Sequence, residues 1–155
     1  MRCPKKRKMK EILKKNRLDD KVILEQIESR YSELKPERRK ANCIGTALFL
    51  AGLIKEDHNI GNYKAREYLK NLKQFPFSIK SVKVGYLLTY EFYQDLKYNV
   101  AHMAIVVNVK PLRLTDRVCY KGPVYLYSTI EDIDNAQGYF DRRMLYDPFS
   151  LLRFP

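Results

Sequence analysis

Asn42-Cys43-Ile44-Gly45-Thr46-Ala47-Leu48-Phe49-Leu50-Ala51-Gly52-Leu53-Ile54 places a cysteine on the first turn of a run that is apolar almost all round. Asn42 is a favourable N-cap, and the helix start that follows carries partial positive charge. Both effects favour a thiolate at Cys43 and move its pKa toward a reactive range. A helix with no polar face has to lie at the centre of a fold. Its small residues, Gly45, Ala47, Ala51 and Gly52, leave it narrow enough for a sheet to approach. The same cysteine also fits a purely structural part, because free cysteine is often a small core residue. A nucleophile needs a base, and the base has to come from elsewhere in the chain.

Upstream, Asp19 and Asp20 offer an N-cap and a negative first turn to a helix running to about Leu34, with Val22, Ile23, Ile27, Tyr31 and Leu34 at helical spacing. Pro36 and the charged Glu37-Arg38-Arg39-Lys40 break the chain before Asn42. Downstream, Glu56 to Asn62 reads as a loop and Tyr63 to Leu72 as a short amphipathic helix that Phe75-Pro76-Phe77 ends. The composition then turns β-branched and aromatic. Val82 to Phe92, Val100 to Val109 and Val124 to Ile130 read as strands, with turns at Gln94-Asp95, Lys110-Pro111 and Lys121-Gly122-Pro123. Helices followed by strands predict an α+β domain, residues 19–155, with N-terminal helices packed on one side of an antiparallel β-sheet.

The 155 residues suit one domain, and 45% hydrophobic with 12% aromatic content supplies a core. No run of eighteen apolar residues is present, so no transmembrane segment is expected. The basic N-terminus lacks an apolar stretch of the signal-peptide kind, which predicts a cytoplasmic protein. Three cysteines and two histidines offer no ordinary zinc spacing and no disulfide framework, and no cofactor or metal is expected. The net charge of +12 is concentrated at one end, where residues 1–18 hold nine Lys and Arg against the single Glu11. That segment reads either as a flexible solubilising tail or as a contact for nucleic acid or another anionic polymer. The aromatics Tyr86, Tyr90, Phe92, Tyr93 and Tyr98 fit base stacking or, equally, a sheet face. Asp132, Asp134 and Asn135 lack the later glutamate of a calcium hand and read as a turn, while Asp141-Arg142-Arg143 reads as a surface charge cluster.

Only His58 and His102 can supply an imidazole. His58 lies about four helical turns beyond Cys43, too far along a straight helix for direct contact, and reads as a surface residue. His102 sits near the start of the strand Val100 to Asn108, whose alternation groups His102 with Ala104, Val106 and Asn108. The methyl-sized Ala104 predicts that the Cys43 helix lies close against that same face. A Cys43/His102 pair is the chemistry this predicts, with a satisfied core histidine as the alternative.

The order of these blocks resembles a known family. A cysteine opening an apolar helix, a glycine with an apolar strand (Val84-Gly85-Tyr86-Leu87-Leu88-Thr89-Tyr90-Glu91-Phe92), a hairpin, and a His-x-small-Ile-Val strand are similar to the core of the NlpC/P60 branch of papain-like cysteine peptidases, over about Ala41 to Ile130. The resemblance implies a papain-like core in which Cys43 is the nucleophile and His102 the general base. It implies a peptide or amide substrate, peptidoglycan stem peptides among them. It places Tyr31 and Asn42 at the substrate or oxyanion side of the site, with Asn42 standing where the family usually has Asp. The third polar residue, which orients the base, falls at Tyr127, with Ser128, Glu131 and Asp132 as substitutes. Tyr86 replaces the family's Asp after the strand-opening glycine, and Gly45 falls one residue early. Two other functions stay open: an acyltransferase using the same thioester chemistry, and a non-enzymatic binder acting through the basic N-terminus.

Overall fold

The computed structural model describes residues 18–34, 41–118 and 122–149. The basic segment of residues 1–17, together with Cys3 and Cys119, lies outside the described residues. Helix α1 (Asp20–Glu33) starts at Asp19, whose side chain accepts the Lys21 N–H at 2.8 Å, and it buries Ile23 and Ile27, one turn apart on one face. Helix α2 (Cys43–Leu50) is buried along its whole length. It stops at Leu50, before the apolar run ends, because Gly52 takes a left-handed φ of +75° while the N–H groups of Gly52 and Leu53 close back on Phe49 and Leu48. The Arg30 guanidinium of α1 donates to the Phe49 carbonyl at 3.0 Å and so ties α1 to the C-terminal end of α2. Helix α3 (Asn62–Leu69) is short and amphipathic, burying Ala65 and Leu69.

The sheet comprises β1 (Lys73–Pro76), β2 (Leu87–Gln94), β3 (Lys97–Val109), β4 (Leu112–Arg117), β5 (Val124–Ser128) and β6 (Arg142–Asp147), in the spatial order β1-β6-β2-β3-β4-β5 with every pairing antiparallel. Among the described residues this is an α+β fold with four helices and one six-stranded sheet, α4 being Ile130–Gln137. None of these helices is long and apolar enough to cross a membrane. The β2–β3 turn puts Asp95 and Leu96 at φ of 54° and 61°, the paired left-handed conformation whose twist suits a two-residue hairpin.

Several elements differ from the expectations above. Phe75 and Pro76 belong to an edge strand rather than a helix stop, and Pro is tolerated there because one side of an edge strand needs no ladder donor. Arg142-Arg143, expected as a surface charge cluster, opens the interior strand β6, because Met144, Leu145 and Tyr146 carry it into the core. Residues 130–137 form a helix rather than a turn, begun by a capping box between Thr129 and Asp132.

The three N-terminal helices share one side of the sheet, as expected, and α4 adds cover to the other. Ile23, Ile27, Leu48, Met103, Ile105 and Val107 belong to a core on the side of α1, α2 and α3. Leu88, Tyr90, Ala104, Val106, Leu114 and Ile133 form a second core that α4 covers. The expectation that α2 rests against the Ala104 face is therefore corrected: α2 packs on the Met103, Ile105 and Val107 face. Methionine and branched side chains there match an apolar helix, while Ala104 faces α4's side of the sheet.

Candidate active site

Asn42 forms the N-cap of α2, its Oδ1 accepting the Gly45 N–H at 2.9 Å and the Ile60 N–H at 3.1 Å while its Nδ2 donates to the Ile60 carbonyl at 2.8 Å. One side chain thus starts the helix and pins the loop before α3 against it. That loop passes so close that a Cβ on Gly45 would lie 1.6 Å from the His58 carbonyl oxygen, so only glycine fits at this point of the helix. Asn42 is accordingly spent on the fold, not aimed at the oxyanion side where the resemblance put it. His58 itself is exposed, with Nδ1 2.7 Å from the Glu56 carbonyl.

Cys43 and His102 meet where β3 and β4 part. The β3–β4 ladder runs from Val109/Leu112 to Ile105/Thr115 and stops there. Val106 turns its N–H and C=O to Tyr86 and Gly85 on the β2 side, so alternation turns those of Met103 toward β4, beyond the end of that ladder. The Met103 N–H is taken by the Cys43 sulfur, which also accepts the Ile44 N–H and hydrogen-bonds His102. A bulge at Tyr90/Glu91, opposite His102 and Val100, re-aims β3 just before this point. The opposed pull of the two core faces is met at this strand end, where a thiol from one side of the sheet reaches an imidazole rooted in the other.

The second imidazole nitrogen is held by Asp116. His102 Nε2 lies 3.1 Å from Asp116 Oδ2, which leaves Nδ1 for the thiol. Asp116 Oδ1 in turn accepts the Ser128 hydroxyl at 2.6 Å, so both carboxylate oxygens are engaged. His102 is 1% exposed and Asp116 is buried beside it. Tyr90 closes the other side of the imidazole, edge-on with ring centroids 6.0 Å apart.

The electrostatics follow from these contacts. Burial pushes the Cys43 thiol up, but the hydrogen bond and charge of His102, with the Met103 and Ile44 N–H groups, outweigh it and bring the thiol below its ordinary value. Burial likewise opposes charge on His102, yet the Asp116 and Cys43 hydrogen bonds and their negative charges raise it to about 9. Each group thus favours the charged form of the other, thiolate beside imidazolium. Cys43 keeps 8% of its surface exposed, and its own backbone N–H, at the open end of α2, has no partner among the described residues.

A second buried network locks the two halves of the site together. Arg117, next to Asp116 on β4, donates from Nε to the Thr46 hydroxyl at 2.8 Å and from Nη2 to Asp57 Oδ2 at 2.8 Å, while Thr46 donates to Asp57 Oδ1 at 2.8 Å. Thr46 stands one turn after Cys43. The helix that carries the thiol and the strand that carries the acid are therefore joined by a closed, buried ring of bonds.

Of the residues singled out in the sequence, Cys43 and His102 come together. Tyr127, expected to orient the base, projects from β5 at 60% exposure; the position against His102 belongs to Asp116. Ser128 is present one bond further out, whereas Asp132 caps α4 and Glu131 lies exposed on it. Tyr31 is half-buried and packs on the helix-side core. Asp116 carried a signal in the sequence. Counting back along both arms from the Lys110-Pro111 turn puts it opposite Ile105, three residues from His102, and the irregularity between Val106 and Asn108 brings it one residue nearer. No group of three or more His, Cys, Asp or Glu among the described residues is arranged to hold a metal ion. Comparison of the chain with protein-family models, with curated proteins and with solved structures gave no match.

Proposed function

We propose that the protein is a cysteine-dependent acyl-group hydrolase, an amidase or peptidase, with Cys43 as nucleophile, His102 as general base and acid, and Asp116 as the group that orients the base. The observation that carries this reading is the hydrogen-bonded series Cys43–His102–Asp116–Ser128, in which a thiol at a helix start meets an imidazole whose far nitrogen is held by a buried carboxylate. A core histidine that served packing alone would need one partner for its N–H; this one bridges a thiol and an acid.

In the reaction the Cys43 thiolate attacks the amide carbonyl carbon, forming a C–S bond as the carbonyl π pair moves onto oxygen. The Cys43 N–H at the helix start is placed to receive that oxyanion. Collapse of the intermediate breaks the C–N bond, and the imidazolium of His102 delivers its proton to the departing amine. Water then attacks the thioester while His102 takes its proton, and the C–S bond breaks to return the thiolate and the carboxylic acid. An amine in place of water gives acyl transfer by the same steps.

The likeness of the Cys43 and His102 blocks to the NlpC/P60 pattern favours a papain-like relationship and peptide substrates of the cell-wall stem type. Supporting it are the order of the elements, a cysteine helix followed by an antiparallel sheet with the histidine on its third strand, and the polar third residue at Asp116. The test is incubation of the full chain with a purified stem peptide, followed by mass spectrometry of products and protein. Cleavage that Cys43→Ala and His102→Ala abolish is the expected result; cleavage unaffected by Cys43→Ala overturns the reading.

A further inference from the structure

A cavity of about 330 Å³ opens between α3 and the sheet, away from the thiol. Its walls bring together four cationic side chains: Arg66 of α3 and Lys70 at the C-cap of that helix, Lys97 at the start of β3 and Arg142 at the start of β6. Arg66 and Lys70 are spaced i, i+4 and so share one helix face. Against them stands one carboxylate of the lining, Glu91, and it is already committed. Its Oε2 accepts the Thr89 hydroxyl at 2.8 Å and its Oε1 accepts Arg142 Nη2 at 3.2 Å. Lys70 is offset by an exposed pair with Glu67, but Arg66 and Lys97 have no ion-pair partner among the described residues.

Arg142 is the part of the cavity that is built rather than merely charged. Its guanidinium lies 3.5 Å from the centroid of the Tyr98 ring, a stacked geometry that fixes the plane of the fork. The buried Glu91 holds one edge of that fork, and its Nε has no hydrogen-bond partner among the described residues. The arginine is thus held in place while 36% of its side chain stays exposed. A phosphoryl group matches this arrangement better than a carboxylate does, because its oxygens can accept from several cations at once, whereas a carboxylate offers two oxygens in one plane. A cavity near the small end of ordinary ligand pockets suits a single small molecule and not a polymer.

We propose that this cavity binds a small phosphorylated molecule, with Arg142 and Arg66 as its principal phosphate contacts and Lys97 at its mouth. The proposal is independent of the thiol chemistry. It is tested by calorimetric titration of the full chain with pyrophosphate near physiological ionic strength, with citrate as the polycarboxylate comparison. The expected result is saturable binding at one site per chain, weaker binding of citrate, and a loss of about tenfold in affinity in Arg66→Gln and in Lys97→Gln, neither of which touches the Glu91 pair. Lys80→Gln, an exposed cation outside the cavity, is expected to change affinity by less than about twofold. Absence of saturable binding, an equal loss in Lys80→Gln, or citrate binding as tightly as pyrophosphate overturns it.

Discussion

Asp116 Oδ2 lies 3.1 Å from His102 Nε2, while the same carboxylate's Oδ1 accepts the Ser128 hydroxyl at 2.6 Å. This buried arrangement fixes the imidazole plane and the nitrogen that faces Cys43. A hydrogen bond to a charged group contributes roughly 1.5–3 kcal/mol, which corresponds to about tenfold to a hundredfold in an equilibrium or a rate. Asp116→Asn is accordingly expected to slow iodoacetamide modification of Cys43 at neutral pH by about tenfold or more. Tyr127→Phe, on the exposed face of β5, is expected to leave that rate within about twofold. Rates are read from the mass of the Cys43 peptide, which separates this thiol from Cys3 and Cys119.

The paired titration predicts a particular pH dependence of stability. His102, raised from 6.5 to about 9, contributes stability that is fully present below 6.5 and is lost as pH rises toward 9. Cys43, lowered from 9.0, contributes stability that is present above 9.0 and lost as pH falls through its folded value. In the wild type the two slopes oppose each other. Cys43→Ala removes one of them while Asp116 still holds the imidazolium. The unfolding free energy of that variant is expected to fall with pH above about 6.5 more steeply than that of the wild type, measured by guanidinium denaturation from pH 6 to about 9. Parallel curves for the two proteins would remove the support for an imidazolium at His102.

Arg117 and Asp57 form an ion pair whose side chains are 6% and 5% exposed. Removing one partner strands the other charge in the core, a loss of about 3–5 kcal/mol. Arg117→Met should therefore lower stability by about that amount, and Asp57→Asn in the same background should recover part of it, since the amide keeps a donor and an acceptor for Thr46 without the charge. A double-mutant cycle by chemical denaturation measures both.

Gly45→Ala brings a methyl group into the His58 carbonyl oxygen, at 1.6 Å in the unrelaxed geometry. Either the loop or the start of α2 has to move, at a cost of about 1–3 kcal/mol. Because the displaced turn carries Cys43, thiol reactivity is expected to fall together with the denaturation midpoint. Unchanged values of both would contradict the close approach of loop and helix.

The pairing of Cys43 with His102 was legible in the sequence because each rests on local pattern: Cys43 on a cap followed by an apolar run, and His102 on a period-2 strand. The side of the sheet was not. One small residue, Ala104, suggested close approach, whereas the helix packs on the Met103, Ile105 and Val107 face, whose side chains are larger and apolar. Strands β4 and β6 were hidden by Arg113, Asp116, Arg117, Arg142 and Arg143, whose charges mimic surface sequence. Arg117 and Asp116 are buried because they find partners on α2, on β3 and in the loop after α2, and such partners are set by tertiary contact rather than by spacing along the chain. Hairpin counting brings Asp116 only to the neighbourhood of His102, and the strand pattern points instead to Tyr127, which the structure leaves exposed on β5.

The central claim is that Cys43 is a thiolate held by His102, and the pH dependence of its alkylation tests this most directly. Iodoacetamide modification of the Cys43 peptide, followed across pH in the full chain and in His102→Gln, should rise in the wild type with a midpoint below the ordinary thiol value of 9.0 and remain rapid at neutrality. In His102→Gln the midpoint should move to 9.0 or above, because burial then acts on the thiol without the imidazolium to oppose it. A wild-type midpoint at or above 9.0, unmoved by the substitution, would contradict the account.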